Sequence, residues 1–145
     1  MKSLATTSTE CPVDFLVIDT SALIAILTDE PTSAPLIVAI DSAASRKISA
    51  ASVVETSLVL LGRYGDAAEA LLDRLLQTLQ AEIMPVDVVQ VAAARDAAAR
   101  YGRGRHGAAL NYGDCFSYAL SICTNEPLLF VGDDFSQTDV DAVEW

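Results

Sequence analysis

The segment Phe15-Leu-Val-Ile-Asp-Thr-Ser-Ala-Leu-Ile-Ala-Ile-Leu27 decides the fold class. It opens with four apolar residues, a run that is typical of a strand buried on both faces of a parallel sheet. The next three residues, Asp19-Thr-Ser21, are of types that cap helix N-termini well. The apolar residues 22–27 then predict a helix, which Asp29-Glu-Pro31 ends. A strand that leads directly into a helix indicates an α/β protein.

The rest of the chain continues this alternation. Further strands are predicted at residues 47–50, 82–86 and 128–131. Further helices are predicted at residues 32–44, 52–63, 66–80, 87–101 and 111–124. The helix at 66–80 is the clearest amphipathic one, because its leucines form one stripe. We therefore predict a three-layer α/β fold, with a central parallel sheet flanked by helices.

Length and composition indicate one domain. The 145 residues are 52% hydrophobic and 20% charged, which is enough apolar material for a core. We expect residues 1–13 to be a loose N-terminal extension and residues 14–145 to form the domain. The longest uncharged stretch, residues 115–125, is much shorter than the roughly 20 residues of a membrane-spanning helix. No secretory signal pattern is seen either, so we expect a cytoplasmic protein without a membrane partner.

The net charge and the cysteines reduce the number of possible functions. A net charge of −11, from 20 acids and 9 bases, argues against binding nucleic acid by bulk electrostatics alone. It does not argue against a nucleic-acid enzyme that carries its positive charge as metal ions. Cys11, Cys115 and Cys123 form no Cys-x-x-Cys pair and His106 is the only histidine, which argues against a zinc site. We expect reduced thiols, with Cys115 and Cys123 in the core.

Four places along the chain carry acids that ordinary surface charge does not explain well. Asp19 follows a strand, where open α/β sheets bind ligands, although it can also simply cap the helix. Glu55 lies among apolar residues of a helix, so it either points into a pocket or lies at an exposed edge. Asp114 stands three residues after Asn111, and taken alone it is best explained by a capping box. Asp133 and its neighbour follow the last strand, where a turn is the alternative.

Taken together, these acids indicate a metal site. The ends of neighbouring parallel strands meet at one edge of a sheet, so the carboxylates at positions 19, 55, 114 and 133 or 134 are expected to converge. Unpaired carboxylates repel one another unless a proton or a cation intervenes. Oxygen ligands without histidine or cysteine suit Mg²⁺ or Mn²⁺. Such a site can activate water against a phosphodiester.

An arginine-rich segment precedes Asp114. Four of the nine cations lie in 11 residues, namely Arg95, Arg100, Arg103 and Arg105. Glycines interrupt the same segment, so we expect a mobile loop at residues 102–110. Beside a metal site, these arginines favour a phosphate clamp made by Arg100, Arg103 and Arg105. A solubilising loop and a docking place for an acidic partner are the alternatives.

Five motifs, in order along residues 15–140, resemble the PIN domain of VapC-type toxins. They are Val17-Ile-Asp-Thr-Ser-Ala-Leu23 with Asp29-Glu-Pro31, Ser49-Ala-Ala-Ser-Val-Val-Glu55, Tyr101-Gly-Arg-Gly-Arg-His106, Ala109-Leu-Asn-Tyr-Gly-Asp-Cys-Phe-Ser-Tyr-Ala119 and Pro127-Leu-Leu-Phe-Val-Gly-Asp-Asp-Phe-Ser-Gln-Thr-Asp139. The resemblance implies a Mg²⁺-dependent endoribonuclease, the toxin of a type II toxin–antitoxin pair. It further implies an RNA substrate, a VapB-like antitoxin and a homodimer.

The resemblance also assigns roles to individual acids. It implies catalytic roles for Asp19, Glu55 and Asp114, with the metal most directly on Asp19 and Asp114. Many PIN domains carry a fourth acid at the position that Gly132 takes here. We assign that role to Asp133, with Asp134 and Asp139 as rivals. The first 13 residues depart from the family pattern. Either they are a tail, or translation starts later, for example at Val13.

Three other functions are alternatives to a nuclease. A haloacid-dehalogenase-like phosphatase needs a second Asp two residues after the first, where Ser21 stands. A phospho-receiver domain needs a late lysine, but only Lys2 and Lys47 are present. A catalytically inactive PIN module, which only binds protein or RNA, is the remaining alternative, although the three motif acids are intact.

Overall fold

The computed structural model describes residues 13–145 and contains a four-stranded parallel sheet in the order β3-β2-β1-β4. The strands are β1 Phe15–Ile18, β2 Ser45–Ser49, β3 Glu82–Met84 and β4 Leu128–Leu129. The helices are α1 Thr20–Leu27, α2 Ser33–Ser42, α3 Ala50–Tyr64, α4 Ala68–Leu79, α5 Val88–Tyr101 and α6 Tyr112–Thr124, with a 3₁₀ turn at Gly65–Ala67 before α4. The predicted extension at residues 1–13 lies, except for Val13, outside the described residues.

Alternate residues of β1 face two separate cores, which makes the fold three-layered. Leu16 and Ile18 pack with α1, α2, α3 and α4 on one face. Val17 packs with α5 and α6 on the other face. All three side chains are fully buried, as expected for a central strand of a parallel sheet covered on both sides. The predicted three-layer α/β fold is confirmed.

Strand ends differ from the prediction for local reasons. The β2 strand stops at Ser49 because the hydroxyl of Ser49 caps α3 by accepting from the Ala51 N–H. The β3 strand stops before Pro85, which has no N–H to donate to a neighbouring strand. The β4 strand stops at Leu129, and the Val131 N–H is instead donated to the Ser21 hydroxyl at 3.0 Å.

One core prediction is wrong. Cys115 is buried, but Cys123 is exposed, and both thiols are free. Eight helical residues advance the side chain by about 80° beyond two full turns, which is enough to carry Cys123 out of the core. In residues 13–145, no helix is both long and apolar enough to cross a membrane.

Candidate active site

Asp19 joins the end of β1 to the start of α1. Its N–H continues the ladder to the Leu129 carbonyl at 2.9 Å, and its side chain caps the helix. Oδ2 accepts hydrogen bonds from the Ser21 N–H at 3.0 Å and from the Ser21 hydroxyl at 2.7 Å. Oδ1 is buried and has no hydrogen-bond partner within residues 13–145. One oxygen of this carboxylate, which is only 3% exposed, thus caps the helix, and the other is left without a hydrogen-bond partner in the described residues.

Asp114 is held by a capping box at the start of α6. Its Oδ2 accepts from the Asn111 N–H at 3.0 Å, and its own N–H is donated to Asn111 Oδ1 at 2.9 Å. The pKa of Asp114 is raised to about 7, mainly by burial and against the opposing effect of the Asn111 N–H. The negative charges of Asp19, Asp134 and Glu55 contribute to the same rise. The capping interpretation is therefore correct, and Asp114 also belongs to a group of mutually repelling carboxylates.

Glu55 reaches this group from α3. It is half-buried, and this burial is the main cause of its raised pKa. The hydroxyl of Thr20 opposes that shift, whereas the charge of Asp19 adds to it. Glu55 thus faces the acid group, and its role in a pocket stays a prediction.

Gly113 is a site residue that sequence reasoning missed. A Cβ built on Gly113 would overlap the carboxylate of Glu55, so only glycine lets Glu55 lie against the first turn of α6. Small hydroxyl residues continue this close approach, with Ser52 and Ser117 hydroxyls 3.1 Å apart between α3 and α6. A glycine in the first turn of a helix, where it adds no capping group, was the available signal.

Ser21, which the sequence predicts as a helix cap, has a further role. In the structure its hydroxyl donates to Asp19 Oδ2 and accepts from the Val131 N–H. It therefore ties the Asp19 carboxylate to the chain that leaves β4. This bond also places the start of the 132–134 turn close to Asp19.

The candidates for the fourth acid lie in different surroundings. Asp133 and Asp134 are both exposed, and of the two only Asp134 is among the charges that raise the pKa of Asp114. Asp139 accepts a hydrogen bond from the Tyr118 hydroxyl at 2.7 Å, which is the main cause of its lowered pKa. Its Oδ2 also lies 3.6 Å from Arg100. Asp139 thus belongs to a separate network, and the assignment of Asp133 stays a prediction.

The arginines divide into two groups. Arg100 pairs with Asp96 at 3.2 Å, donates to the Tyr101 hydroxyl at 2.9 Å and lies over the Tyr101 ring. Arg95, Arg103 and Arg105 instead line a cavity of about 390 Å³, here named the arginine cavity. It lies between α5, the loop at residues 102–110 and the start of α6. Of the predicted phosphate clamp, Arg103 and Arg105 lie together there, and Arg100 does not line it.

The carboxylates fit a hard divalent cation better than any other metal. The donors are carboxylate oxygens alone, the type that Mg²⁺ and Mn²⁺ prefer. The oxygen best suited to such an ion is Oδ1 of Asp19, which is buried and has no partner among the described residues. As they stand in residues 13–145, no three Asp, Glu, His or Cys side chains form a complete metal-binding group. An ion would therefore take few protein ligands, in keeping with the tendency of Mg²⁺ to retain water.

Comparisons with known proteins agree with this architecture. Ribonuclease VapC of Mycolicibacterium smegmatis is 50% identical over 128 residues, which cover 88% of this chain and 99% of that protein. The structure of VapC20 from Mycobacterium tuberculosis, described as a sarcin-ricin loop cleaving toxin, matches with a TM-score of 0.72 at 17% identity, over 89% of this chain and 98% of that one. VapBC2 from Rickettsia felis, bound to a DNA fragment from its promoter, matches with a TM-score of 0.71 at 14% identity, over 90% and 98%.

The two structural matches are distant in sequence and bear on the fold alone. The family model described as the PIN domain matches residues 16–141, which is nearly the whole described chain. That range contains the strand ends, the capping box and all the acids discussed above. This chain belongs to the PIN domain family.

Proposed function

We propose that the protein is a metal-dependent endoribonuclease that acts as the toxin of a type II toxin–antitoxin pair, with Mg²⁺ or Mn²⁺ as its cofactor. The carrying observation is the closeness of three acids: Asp19 has a buried Oδ1 without a hydrogen-bond partner in residues 13–145, and the Glu55 carboxylate lies against Gly113, next to Asp114. In agreement with this geometry, the charges of Asp19, Asp134 and Glu55 contribute to the raised pKa of Asp114. Carboxylates that destabilise one another in this way are stabilised by a divalent cation. The 50% identity to a protein named Ribonuclease VapC supports RNA as the substrate.

The two proposed metal ligands are Asp19 and Asp114, and both are held by the backbone. Ser21 fixes Asp19 through Oδ2 and leaves Oδ1 toward the site, while Asn111 fixes Asp114 through the capping box. A bound divalent cation supplies positive charge for the scissile phosphate and activates water as the nucleophile. Because both carboxylates are fixed before substrate arrives, little reorganisation is needed.

Glu55 is the proposed proton acceptor. Its pKa is raised by burial, so its carboxylate takes up a proton more readily than an exposed glutamate does. Glu55 lies against Gly113, which places it beside Asp114. Within residues 13–145 the two acids share no direct hydrogen bond, since Asp114 accepts from the Asn111 N–H instead. The proposed fourth acid is at position 133 or 134, and the charge effect on Asp114 supports Asp134.

The proposed protein partners are a VapB-like antitoxin and a second copy of the chain. On α3 the apolar side chains of Val54, Leu58 and Leu61 are exposed at i, i+4 and i+7 spacing, which places them on one face of the helix. Such a face supports docking of a partner next to Glu55, on the same helix. The proposed compartment is the cytoplasm, where RNA and an antitoxin are both at hand.

A cleavage assay tests the proposal against the inactive PIN module. Purified protein is incubated with total RNA in Mg²⁺, in Mn²⁺ and in EDTA, beside the Asp19→Asn variant. We expect defined cleavage products that require the divalent ion and are absent with the variant. Equal products in EDTA, or from the variant, would show that the acids are not a metal-dependent nuclease site. RNA binding without any cleavage would favour the inactive module.

A further inference from the structure

The arginine cavity has the size and lining of a small-ligand pocket. Its volume of about 390 Å³ falls within the roughly 300–1,000 Å³ that is usual for such pockets. Its floor is apolar and is made by Ala94 and Ala98 of α5, Leu110 of the loop and Phe116 of α6. A flat, apolar ring can be desolvated on such a floor without leaving polar groups unpaired.

Positive charge surrounds this apolar floor. Arg95, Arg103 and Arg105 are three of only nine cations in a chain of net charge −11. All three side chains are exposed, and none forms an ion pair with another residue of the described chain. Guanidinium groups that are not used internally are suited to phosphate. The cavity therefore combines an apolar interior with a rim for anions.

An exposed aromatic ring stands at the mouth of the cavity. Tyr112 is 82% exposed, and its ring meets Phe116 edge-on, with centroids 5.0 Å apart at 76°. Both rings line the cavity. Exposed aromatic rings beside cationic side chains are the usual means by which proteins stack unpaired bases.

The cavity and the acid group meet at the first turn of α6. Asn111 lines the cavity and its backbone N–H is donated to Asp114 Oδ2, while Cys115, next to Asp114, also lines it. The first turn of α6 thus has the proposed metal ligand on one side and the cavity on the other. A nucleotide in the cavity would lie one turn of helix away from the reacting phosphate.

We propose that the arginine cavity binds an unpaired base of the RNA, stacked on Tyr112, while Arg95, Arg103 and Arg105 contact the adjoining phosphates. This base decides which phosphodiester reaches Asp19 and Asp114. The inference rests on the proposed function, because it makes the cavity a specificity pocket for the same substrate. It adds Arg95 and the two aromatic rings to the residues predicted from sequence to bind RNA.

The test measures binding of a mixed-sequence, single-stranded RNA oligonucleotide by fluorescence anisotropy. The background is Asp19→Asn, so that RNA is not cut. Ala98→Leu fills the cavity from an exposed position, and Tyr112→Ala removes the stacking ring. The matched controls are Ala99→Leu, next to it on α5 and outside the cavity lining, and Tyr64→Ala, an exposed tyrosine at the end of α3. An oligonucleotide of abasic nucleotides with the same length measures the phosphate contribution alone.

We expect Ala98→Leu and Tyr112→Ala to weaken RNA binding about tenfold or more, and both controls to leave it unchanged. Binding of abasic RNA should change little with these variants, but should fall with Arg103→Ala combined with Arg105→Ala. With Asp19 restored, Ala98→Leu should also alter the distribution of cleavage positions.

The proposal is overturned if Ala98→Leu and Tyr112→Ala bind RNA as tightly as the controls do. It is equally overturned if these variants only change the oligomeric state, since the cavity would then be a contact between copies. Absence of cleavage by the unmodified protein would overturn the nuclease function, but the binding comparison would still decide the role of the cavity.

Discussion

The acid group and the arginine cavity share the first turn of α6 but are built in opposite ways. Asp19 and Asp114 are 3% and 7% exposed, and backbone N–H groups fix one oxygen of each. The arginines of the cavity are exposed and lie on a helix surface and a loop. In the proposed nuclease, the helix caps would thus supply the fixed charges for the chemistry, and the long, exposed arginine side chains would supply contacts that adapt to an RNA chain.

The largest effect is expected from Asp19→Asn. Asparagine caps helices as well as aspartate does, so the variant should fold normally. It removes the proposed ligand, and RNA cleavage should fall by more than about 100-fold, beyond the usual loss for residues that only support a metal ligand. In EDTA its melting temperature should equal or exceed that of the unmodified protein, because one repelling charge is gone. Full activity would contradict the assignment.

The next largest effect is expected from Gly113→Ala. The added methyl group must displace Glu55 from the first turn of α6. Cleavage should fall roughly tenfold or more, whereas the stability loss should stay below the roughly 1–3 kcal/mol of core overpacking, because the displaced atoms are the end of the flexible Glu55 side chain. Gly62→Ala on α3 is the matched control, because a Cβ there meets nothing within 4 Å. Equal behaviour of the two variants, in rate and in chemical denaturation, would mean that the closeness of α3 and α6 is unimportant.

A comparison of Asp134→Asn with Asp133→Asn locates the fourth acid. The charge of Asp134, and not that of Asp133, is among those that raise the pKa of Asp114, which places Asp134 nearer the acid group. Its removal should therefore reduce cleavage more than removal of Asp133 does. We expect several-fold lower cleavage for Asp134→Asn and nearly normal cleavage for Asp133→Asn. A larger loss with Asp133→Asn would restore the assignment made from the sequence.

The stability of the metal-free protein should depend on pH through Asp114. Its pKa is raised from 3.8 to about 7 in the folded state, so the folded protein retains a proton that the unfolded chain loses. The free energy of unfolding should therefore fall as pH rises from about 4 to about 7, and the full penalty is present above that range. In EDTA, calorimetry should show a melting temperature several degrees lower at pH 8 than at pH 5. Asp114→Asn should flatten this trend, and parallel curves would contradict it.

The smallest effect concerns the arginines. Arg103→Ala with Arg105→Ala should reduce the salt slope of single-stranded RNA binding by about 1.4, if each arginine contacts one phosphate. Arg100→Ala should leave the slope unchanged, because Arg100 pairs with Asp96 and Asp139 instead. Binding titrations at several salt concentrations distinguish the two. A loss of slope with Arg100→Ala would return Arg100 to the clamp predicted from sequence.

The strand-end acids were predictable because a parallel sheet places the ends of its strands together. Apolar β1 followed by Asp19, and the spacing of Asn111 and Asp114, are local patterns that determine where these side chains lie. The contact of Gly113 with Glu55 and the contact of Arg100 with Asp139 were not predictable in this way. Gly113 depends on a contact with Glu55 of another helix, and Arg100 contacts Asp139 of another segment in addition to its i,i+4 pair with Asp96 on α5. Such contacts exist only once the helices are packed.

Joint binding of a divalent cation by Asp19 and Asp114 is measured by calorimetric titration of Mg²⁺ into four proteins. They are the unmodified protein, Asp19→Asn, Asp114→Asn and the control Asp41→Asn, which removes an exposed acid on α2. The result expected is saturable binding that Asp19→Asn and Asp114→Asn each abolish and Asp41→Asn leaves unchanged. Binding of equal affinity and stoichiometry in all four proteins would contradict the claim.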